Sequence, residues 1–249
     1  MSDVDISVAR NQMGRAFEFW ATSPGMSHEV LSGSWHFLSG FPSADVNMAM
    51  IHADDNDALA ITLSAITNMN VPTLLFLAAA GKELSNRLPD EWTNVGVFPF
   101  MAKQLNASVD EFDYRVSVAL LDDTAEVVGL LADSFLLEPN IFSFLIDTLK
   151  NPDSAVDIWV LKDNGVAVST ATTMLVDDAL TVWCMATPPQ FARKGYGKAL
   201  LGEVLSRSAA NGARIGLLGA TDAGRPLYEA TGWETLEGWD VYVNALANH

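Results

Sequence analysis

Residues 180–212 read Leu-Thr-Val-Trp-Cys-Met-Ala-Thr, then Pro-Pro-Gln-Phe-Ala, then Arg-Lys-Gly-Tyr-Gly-Lys, then Ala-Leu-Leu-Gly-Glu-Val-Leu-Ser-Arg-Ser-Ala-Ala-Asn-Gly. The first eight residues are mostly apolar and rich in strand-forming types, which predicts a buried strand over residues 180–187. From Tyr196 onward apolar residues recur at helical spacing, and Gly212 is suited to end that helix. The stretch therefore predicts a strand and a helix that are joined by a basic, glycine-containing turn.

The turn over residues 193–198 has the composition of an anion-binding loop. Backbone N–H groups at a helix N-terminus lack partners within the helix, and the helix dipole favours anions there. Gly195 and Gly197 carry no side chain that would keep a phosphate away from the backbone. The turn therefore predicts a cradle for a pyrophosphate.

Two common phosphate loops do not fit this turn. A Walker A loop needs Gly, four residues, and then Gly-Lys-Ser/Thr. Ala192 stands at its first glycine and Ala199 at its hydroxyl position. A dinucleotide-binding fingerprint needs a third glycine where Leu200 stands, and it usually opens a domain.

Residues 192–197, Ala-Arg-Lys-Gly-Tyr-Gly, resemble the coenzyme A loop of the GNAT-type N-acetyltransferases, Gln/Arg-x-x-Gly-x-Gly/Ala. Residues 224–233, Gly-Arg-Pro-Leu-Tyr-Glu-Ala-Thr-Gly-Trp, resemble the later motif of that family, a tyrosine-bearing helix followed by Gly and an aromatic residue. The two motifs occur in the family's order, and the resemblance covers roughly residues 157–243. Ala192 departs from the usual Gln or Arg, and Arg193 could supply the charge instead.

The resemblance implies a mixed α/β sheet of the acyl-CoA N-acyltransferase (GNAT-like) fold, with acetyl-CoA as cosubstrate. In the family, the loop holds the pyrophosphate, and main-chain groups of the preceding strand pair with the pantetheine and polarise the thioester. The implied coenzyme-binding residues are Met185, Ala186, Thr187, Arg193, Lys194, Gly195, Tyr196, Gly197 and Lys198.

Tyr228 matches the family's tyrosine that protonates the leaving thiolate. A phenol with an ordinary pKa of about 10 stays protonated at neutral pH, which suits an acid. Cys184 in a buried strand is better explained as a small hydrophobic residue than as an acylated nucleophile. The four histidines show no metal-ligand spacing, so no metal site is predicted, and the sequence does not identify the general base.

The charge of the chain limits its partners. Fourteen Lys and Arg against 31 Asp and Glu residues give a formal net charge of −17, which argues against nucleic acid and anionic membranes. Residues 190–225 nevertheless carry six basic and two acidic residues, leaving eight basic and 29 acidic elsewhere. A polyphosphate ligand would bind at such a positive island, although chance clustering on a solvated helix face would also produce one.

Three further features favour a cytoplasmic protein. The single cysteine allows no intramolecular disulfide, and the acidic N-terminus lacks the pattern of a signal peptide. The most apolar run, residues 71–80, is shorter than the about 20 residues that a membrane-spanning helix needs. We therefore expect neither a nucleic-acid nor a membrane partner.

The order of predicted elements suggests two similar halves. Both halves end in strand, helix, strand, helix, strand, and the turns Asp163-Asn164-Gly165 and Asp177-Asp178 predict hairpins in the second half. The second half is also predicted to begin with a strand over residues 114–121. We predict a degenerate GNAT-like domain over residues 1–112 and a GNAT acetyltransferase domain with the acetyl-CoA loop over residues 113–249.

The first half has no glycine loop at the position equivalent to the turn. Asp54, Asp55 and Asp57 stand there, and their carboxylates would repel a pyrophosphate. We therefore expect the first half to help to shape the acceptor site without binding the coenzyme, as in some tandem GNAT proteins.

Two functions remain open from the sequence. The first is an N-acetyltransferase that transfers an acetyl group from acetyl-CoA directly to a primary amine, on a small molecule or a peptide, in a ternary complex. The second is a non-catalytic acyl-CoA-binding sensor, or an interaction protein, that retains the GNAT fold, since a fold does not determine a function.

Overall fold

The computed structural model describes residues 4–21, 25–106, 115–150 and 154–244. The elements up to residue 104 are α1 Ile6–Ala16, β1 Ser27–Val30, β2 Ser34–Leu38, β3 Asn47–Ile51, α2 Asn56–Met69, β4 Leu74–Leu77 and β5 Trp92–Gln104. Those that follow are β6 Val116–Val118, α3 Thr124–Phe135, α4 Phe144–Lys150, β7 Val156–Asp163, β8 Val166–Val176, β9 Ala179–Ala186, α5 Tyr196–Ala210, β10 Ile215–Gly219, α6 Arg225–Ala230 and β11 Glu234–Asn244. Short 3-10 helices lie at Phe17–Phe19, Ala44–Val46, Ala79–Arg87, Leu121–Asp123, Pro139–Phe142 and Pro189–Phe191.

These elements form two compact units. The first unit contains the described residues of Met1–Trp20 and Met101–Glu234, and the second those of Ala21–Phe100 and Thr235–His249. Helix α1 thus belongs to the unit built mainly by the second half of the chain, and almost all of β11 belongs to the other unit. The two compact units do not follow a single cut of the chain, because each unit contains a terminal segment from the other half. The division into domains at residues 1–112 and 113–249 stays a prediction.

The first unit is a mixed sheet with strand order β5-β10-β9-β8-β7-β6, to which β5 contributes its last residues. Strands β6 to β9 pair antiparallel in sequence, and α5 connects β9 to the parallel strand β10. Val182 of β9 and Leu200 and Val204 of α5 share one buried cluster. Because successive residues of a strand point to opposite faces, Trp183 points away from α5 and meets Phe17, at 4.5 Å between ring centroids.

The second unit repeats this plan. Its strand order is β1-β2-β3-β4-β11-β5, with β1, β2 and β3 antiparallel and α2 connecting β3 to the parallel strand β4. Strand β11 then pairs antiparallel with β4. Two antiparallel pairs followed by a parallel crossover therefore occur in both units, and the predicted mixed α/β fold is confirmed.

Two strands differ from the sequence-based prediction. The sequence pattern does not predict strand β1, and the strand expected over residues 114–121 is reduced to Val116–Val118, residue 114 being outside the described residues. The Asp123 carboxylate accepts a hydrogen bond from the Leu120 backbone N–H at 2.7 Å, which turns the chain into the 3-10 helix. A local side-chain bond thus ends the strand early.

Asn47 is a buried hydrogen-bonding centre of the second unit. Its side chain accepts from Ser39 N, Ser39 Oγ and Gly40 N at 2.8, 3.1 and 3.3 Å. Its amide nitrogen lies 2.8, 2.7 and 2.9 Å from the carbonyl oxygens of Phe41, Ser43 and Pro72, so that its two hydrogens are shared among three acceptors. The single side chain therefore joins the turn after β2 to the segment before β4.

Replacing Asn47 by alanine should destabilise the protein by about 3 kcal/mol, because buried polar groups would lose their partners. Urea unfolding followed by circular dichroism measures this loss. The matched control is Asn68→Ala, an exposed site with one long side-chain bond, which should cost less than about 0.5 kcal/mol. An equal effect of both substitutions would contradict the role of Asn47.

Candidate functional site

Strand β9 separates from its parallel neighbour before it ends. The register pairs Ala179, Leu180 and Thr181 of β9 with Ile215, Gly216 and Leu217 of β10, and β9 continues beyond this register to Ala186. The last part of β9 therefore runs past the end of its parallel ladder, at the same end of the unit as the turn that follows it.

A β-bulge lies in this last part of β9. Thr170 of β8 pairs with Ala186 and Thr172 with Trp183, so that two residues of β9, Cys184 and Met185, oppose one residue of β8. Cys184 has a φ of +47°, which side chains other than glycine rarely adopt. Bulges redirect backbone groups out of the ladder. No local sequence signal predicts this bulge. Met185, one of the predicted coenzyme-binding residues, is one of the two bulged residues of β9.

The turn after β9 brings three elements together at Gly197. A Cβ on Gly197 would lie 3.1 Å from Thr187 Oγ1 and 3.6 Å from both Met185 Cε and Leu227 Cδ2. The end of β9, the start of α5 and helix α6 therefore meet at a position that has room for glycine but little more. Three of the predicted coenzyme-binding residues are neighbours at this point.

The backbone of the turn presents unused donors. Arg193 has a φ of +64° and Gly195, the N-cap of α5, a φ of +84°. The first hydrogen bond of the helix runs from Ala199 N to Gly195 O at 2.9 Å. In the part of the chain that the structure describes, no acceptor is found for the backbone N–H groups of residues 193–198. These six donors lie at the N-terminus of α5 or just before it, where free N–H groups attract anions.

The side chains of the turn add positive charge to these donors. Arg193, Lys194 and Lys198 are exposed, and none forms an ion pair with another described residue. Lys194 Nζ lies 5.8 Å from the centre of the Phe191 ring, within the range of a cation–π contact. Three uncompensated cations beside free backbone donors favour a multiply charged anion.

A chain of hydroxyl groups fixes the end of β9. Ser169 Oγ donates to the Ala186 carbonyl oxygen at 2.9 Å and lies 2.8 Å from Thr187 Oγ1. Because Ser169 has one hydroxyl proton, Thr187 is the donor of the second bond. The Ala186 carbonyl is therefore already engaged on one side, and Thr187 Oγ1 keeps acceptor capacity toward Gly197.

Tyr228 lies on α6 with its ring packed edge-on against Trp233, at 5.8 Å between ring centroids. Burial raises the pKa of Tyr228 to about 12, so the phenol stays protonated across the physiological range. Its hydroxyl has no hydrogen-bond partner among the described residues. Trp233 in turn requires Gly216, because a Cβ there would lie 2.8 Å from the indole.

The other sequence candidates are placed as follows. Burial raises the pKa of the Cys184 thiol to about 12, so that almost no nucleophilic thiolate exists at neutral pH. The described residues contain no group of three or more His, Cys, Asp or Glu that could hold a metal ion. No described helix has the length and hydropathy that crossing a membrane requires.

The equivalent junction of the second unit is closed by its own carboxylates. Asp55 caps α2 and accepts a hydrogen bond from the Asp57 backbone N–H at 2.8 Å. Asp54 pairs with Arg87 at 3.2 Å, and Arg87 also donates to Asn56. This helix N-terminus therefore already carries negative charge, and the absence of a coenzyme site in this unit stays a prediction.

A groove of about 560 Å³ opens beside the turn. It is lined by Ala132, Asp133, Leu136, Leu137, Glu138, Pro139, Pro189 and Gln190. Gln190 Nε2 donates to the Asp133 carboxylate at 3.1 Å and so links α3 to the segment before the turn. The groove combines an apolar wall with two carboxylates that form no ion pair with other described residues.

Residues 154–235 match the model of the acetyltransferase (GNAT) domain family. The chain contains a GNAT domain. The matched range includes β9, the turn, α5 and Tyr228, and it lies largely within the stretch whose motifs resemble that family. A search of curated proteins gave no match to the sequence.

Solved structures share the fold of the whole chain. A GCN5-related N-acetyltransferase from Kribbella flavida is 17% identical, with a TM-score of 0.66 and 96% of both chains covered. A GNAT-family protein from Novosphingobium aromaticivorans is 14% identical, with a TM-score of 0.62, covering 96% of this chain and 98% of its own. A functionally unknown conserved protein from Staphylococcus epidermidis, 11% identical, gives a TM-score of 0.59 over 93% and 98%. At such identities the likeness establishes the GNAT fold and leaves the activity to chemical argument.

Proposed function

We propose that the chain is an N-acetyltransferase that uses acetyl-CoA as cosubstrate and a primary amine as acceptor. The observation that carries the proposal is the turn after β9, where six unused backbone donors and three unpaired cations adjoin a bulged strand. A pyrophosphate is the group that this arrangement fits best. The match to the GNAT domain model supports the same assignment.

The coenzyme would lie along the end of β9. The residues of the turn, from Arg193 to Lys198, would hold the pyrophosphate, and the main chain of Met185, Ala186 and Thr187 would pair with the pantetheine. The bulge at Cys184 would aim backbone groups of β9 at the thioester, since bulged residues leave the regular ladder. Donors aimed at the thioester oxygen would stabilise the charge that develops there.

The chemistry of the transfer follows from these groups. The thioester supplies the acetyl group, and the neutral nitrogen of the amine attacks its carbonyl carbon. A C–N bond forms, the C–S bond breaks, and the nitrogen loses one proton to a base. Tyr228 donates its phenolic proton to the departing thiolate, and its high pKa keeps that proton available.

A cationic amine on a small molecule or a peptide is the proposed acceptor. The formal net charge of −17 would attract such a molecule, and Asp133 and Glu138 in the groove would hold a positive group close to the turn. The proposed location is the cytoplasm, where a single cysteine stays reduced. Ala192 in the place of the family's Gln or Arg favours the alternative, an acyl-CoA-binding sensor without turnover.

Calorimetric titration with acetyl-CoA tests the proposed coenzyme site. The wild-type chain should bind with a micromolar Kd, and a combined Arg193→Ala, Lys194→Ala and Lys198→Ala variant should bind about 100-fold more weakly, since each charge-assisted contact contributes about 1 kcal/mol. The control is Lys150→Ala, an exposed lysine paired with Asp147 in α4, which should leave the Kd unchanged. Failure of the wild-type chain to bind would refute the proposed function.

A further inference from the structure

The β7–β8 turn lies at the same end of the first unit as the turn after β9, residues 193–198. Strand β8 runs antiparallel to both of its neighbours, so β7 and β9 point in the same direction and their carboxyl ends meet at one edge. The turn that follows β7 is tight, with positive φ at Asn164 (+51°) and Gly165 (+81°). Asp163, the last residue of β7, is therefore held next to the start of α5.

One side-chain bond joins these two turns. The Tyr196 hydroxyl donates to Asp163 Oδ2 at 2.6 Å, the length of a charge-assisted hydrogen bond. This bond also raises the pKa of Tyr196. The ring of Tyr196 also packs against the buried cluster under α5. Packing and the hydrogen bond therefore hold this side chain together.

The residue that is held in this way lies between the two glycines of the turn. Gly195 has a φ of +84°, and neither it nor Gly197 carries a side chain that could fix the backbone. Tyr196, which the hydrogen bond holds, thus has a conformationally permissive glycine on each side. Loss of the tether would let the backbone of the turn, and with it the unused N–H donors, adopt other conformations.

We propose that Asp163 is a positioning residue for the coenzyme, which acts through the Tyr196 hydroxyl to keep the turn in its binding conformation. This inference rests on the proposed function. Asp163 has no role in the chemistry of transfer, so its loss should raise the KM for acetyl-CoA and leave kcat unchanged.

The direction in which the Kd for acetyl-CoA changes when Asp163 is replaced distinguishes a positioning role from a purely electrostatic one. Asp163 places a negative charge near an anion site, and removal of that charge alone would strengthen the binding of a pyrophosphate. Removal of the tether would weaken it instead. The two explanations therefore predict opposite changes of Kd for the same substitution.

Titration of acetyl-CoA into four full-length variants and one control variant tests the inference. Asp163→Ala and Tyr196→Phe should each raise the Kd about fivefold, the value of one hydrogen bond, and the double variant should be no weaker than either. Asp163→Asn keeps an acceptor for the hydroxyl and should restore most of the affinity. Asp177→Ala is the control, because this turn carboxylate lies at the opposite end of β8 and pairs with Arg15 at 2.7 Å.

Two outcomes would overturn the inference and can be told apart. If the wild-type chain binds acetyl-CoA but Asp163→Ala and Tyr196→Phe keep or improve its Kd, the positioning role is wrong and the proposed function stands. If the wild-type chain does not bind acetyl-CoA, both are wrong. Melting temperatures of the free variants within about 3 °C of the wild type exclude a general loss of folding as the cause.

Discussion

Gly197→Trp should abolish the binding of acetyl-CoA, with a Kd raised by at least about 100-fold. A Cβ at this position would already lie 3.1 Å from Thr187 Oγ1 and 3.6 Å from Met185 Cε, so an indole fits only if the turn is displaced from the end of β9. Displacement of the turn and loss of its backbone contacts with the phosphate together cost about 3 kcal/mol or more. Calorimetric titration of the variant measures the effect.

The same helix provides a matched control for this substitution. Gly202 also lies in α5 and is exposed, and a Cβ at this position would have no neighbouring heavy atom within 4 Å. Gly202→Trp places the same side chain on the same helix away from the turn, and it should retain the Kd of the wild type. Equal Kd values for Gly197→Trp and the wild type would show that the coenzyme does not bind at this turn.

Tyr228→Phe should lower kcat by about 10²- to 10³-fold and leave the Kd for acetyl-CoA unchanged, because a general acid acts only on the leaving thiolate. The hydroxyl has no hydrogen-bond partner among the described residues, so its removal should change the free energy of unfolding by less than about 1 kcal/mol. Steady-state kinetics with a responsive amine, together with titration, separate the two constants. An unchanged kcat would show that another group protonates the thiolate.

The pH dependence follows from the same residue. Burial raises the pKa of Tyr228 to about 12, so the acid form persists up to that pH. The wild-type kcat should therefore show no fall between pH 7 and about 10 that arises from this tyrosine, and any lower limb should come from protonation of the amine or of its base. A fall of kcat near pH 8 that disappears in Tyr228→Phe would contradict the raised pKa.

Local signals explain what the sequence could predict. The strand, turn and helix around Gly195 depend on apolar spacing and on glycine and proline positions, all of which lie within one short stretch. The structure has them at Ala179–Ala186 and Tyr196–Ala210, close to the predicted residues. The packing of Trp233 on Tyr228 also follows from neighbouring residues of one motif.

The features that local patterns do not predict depend on distant parts of the chain. The bulge at Cys184 results from the register with β8, and a cysteine is no local sign of a positive φ. The sequence predicts the Asp163-Asn164-Gly165 turn, but the bond of this turn to Tyr196 joins residues 33 apart. The placement of β11 in the unit of the first half likewise requires knowledge of pairing with β4.

Release of free coenzyme A thiol from acetyl-CoA, measured over time with a panel of amines, tests the central claim most directly. Diamines, amino acids and lysine-containing peptides are the test acceptors, and tertiary amines, which have no N–H proton to lose, are the control. We expect thiol release that depends on a primary amine and yields the acetylated amine. Binding of acetyl-CoA without thiol release in the presence of any of the primary amines would contradict the proposed transfer and favour a sensor.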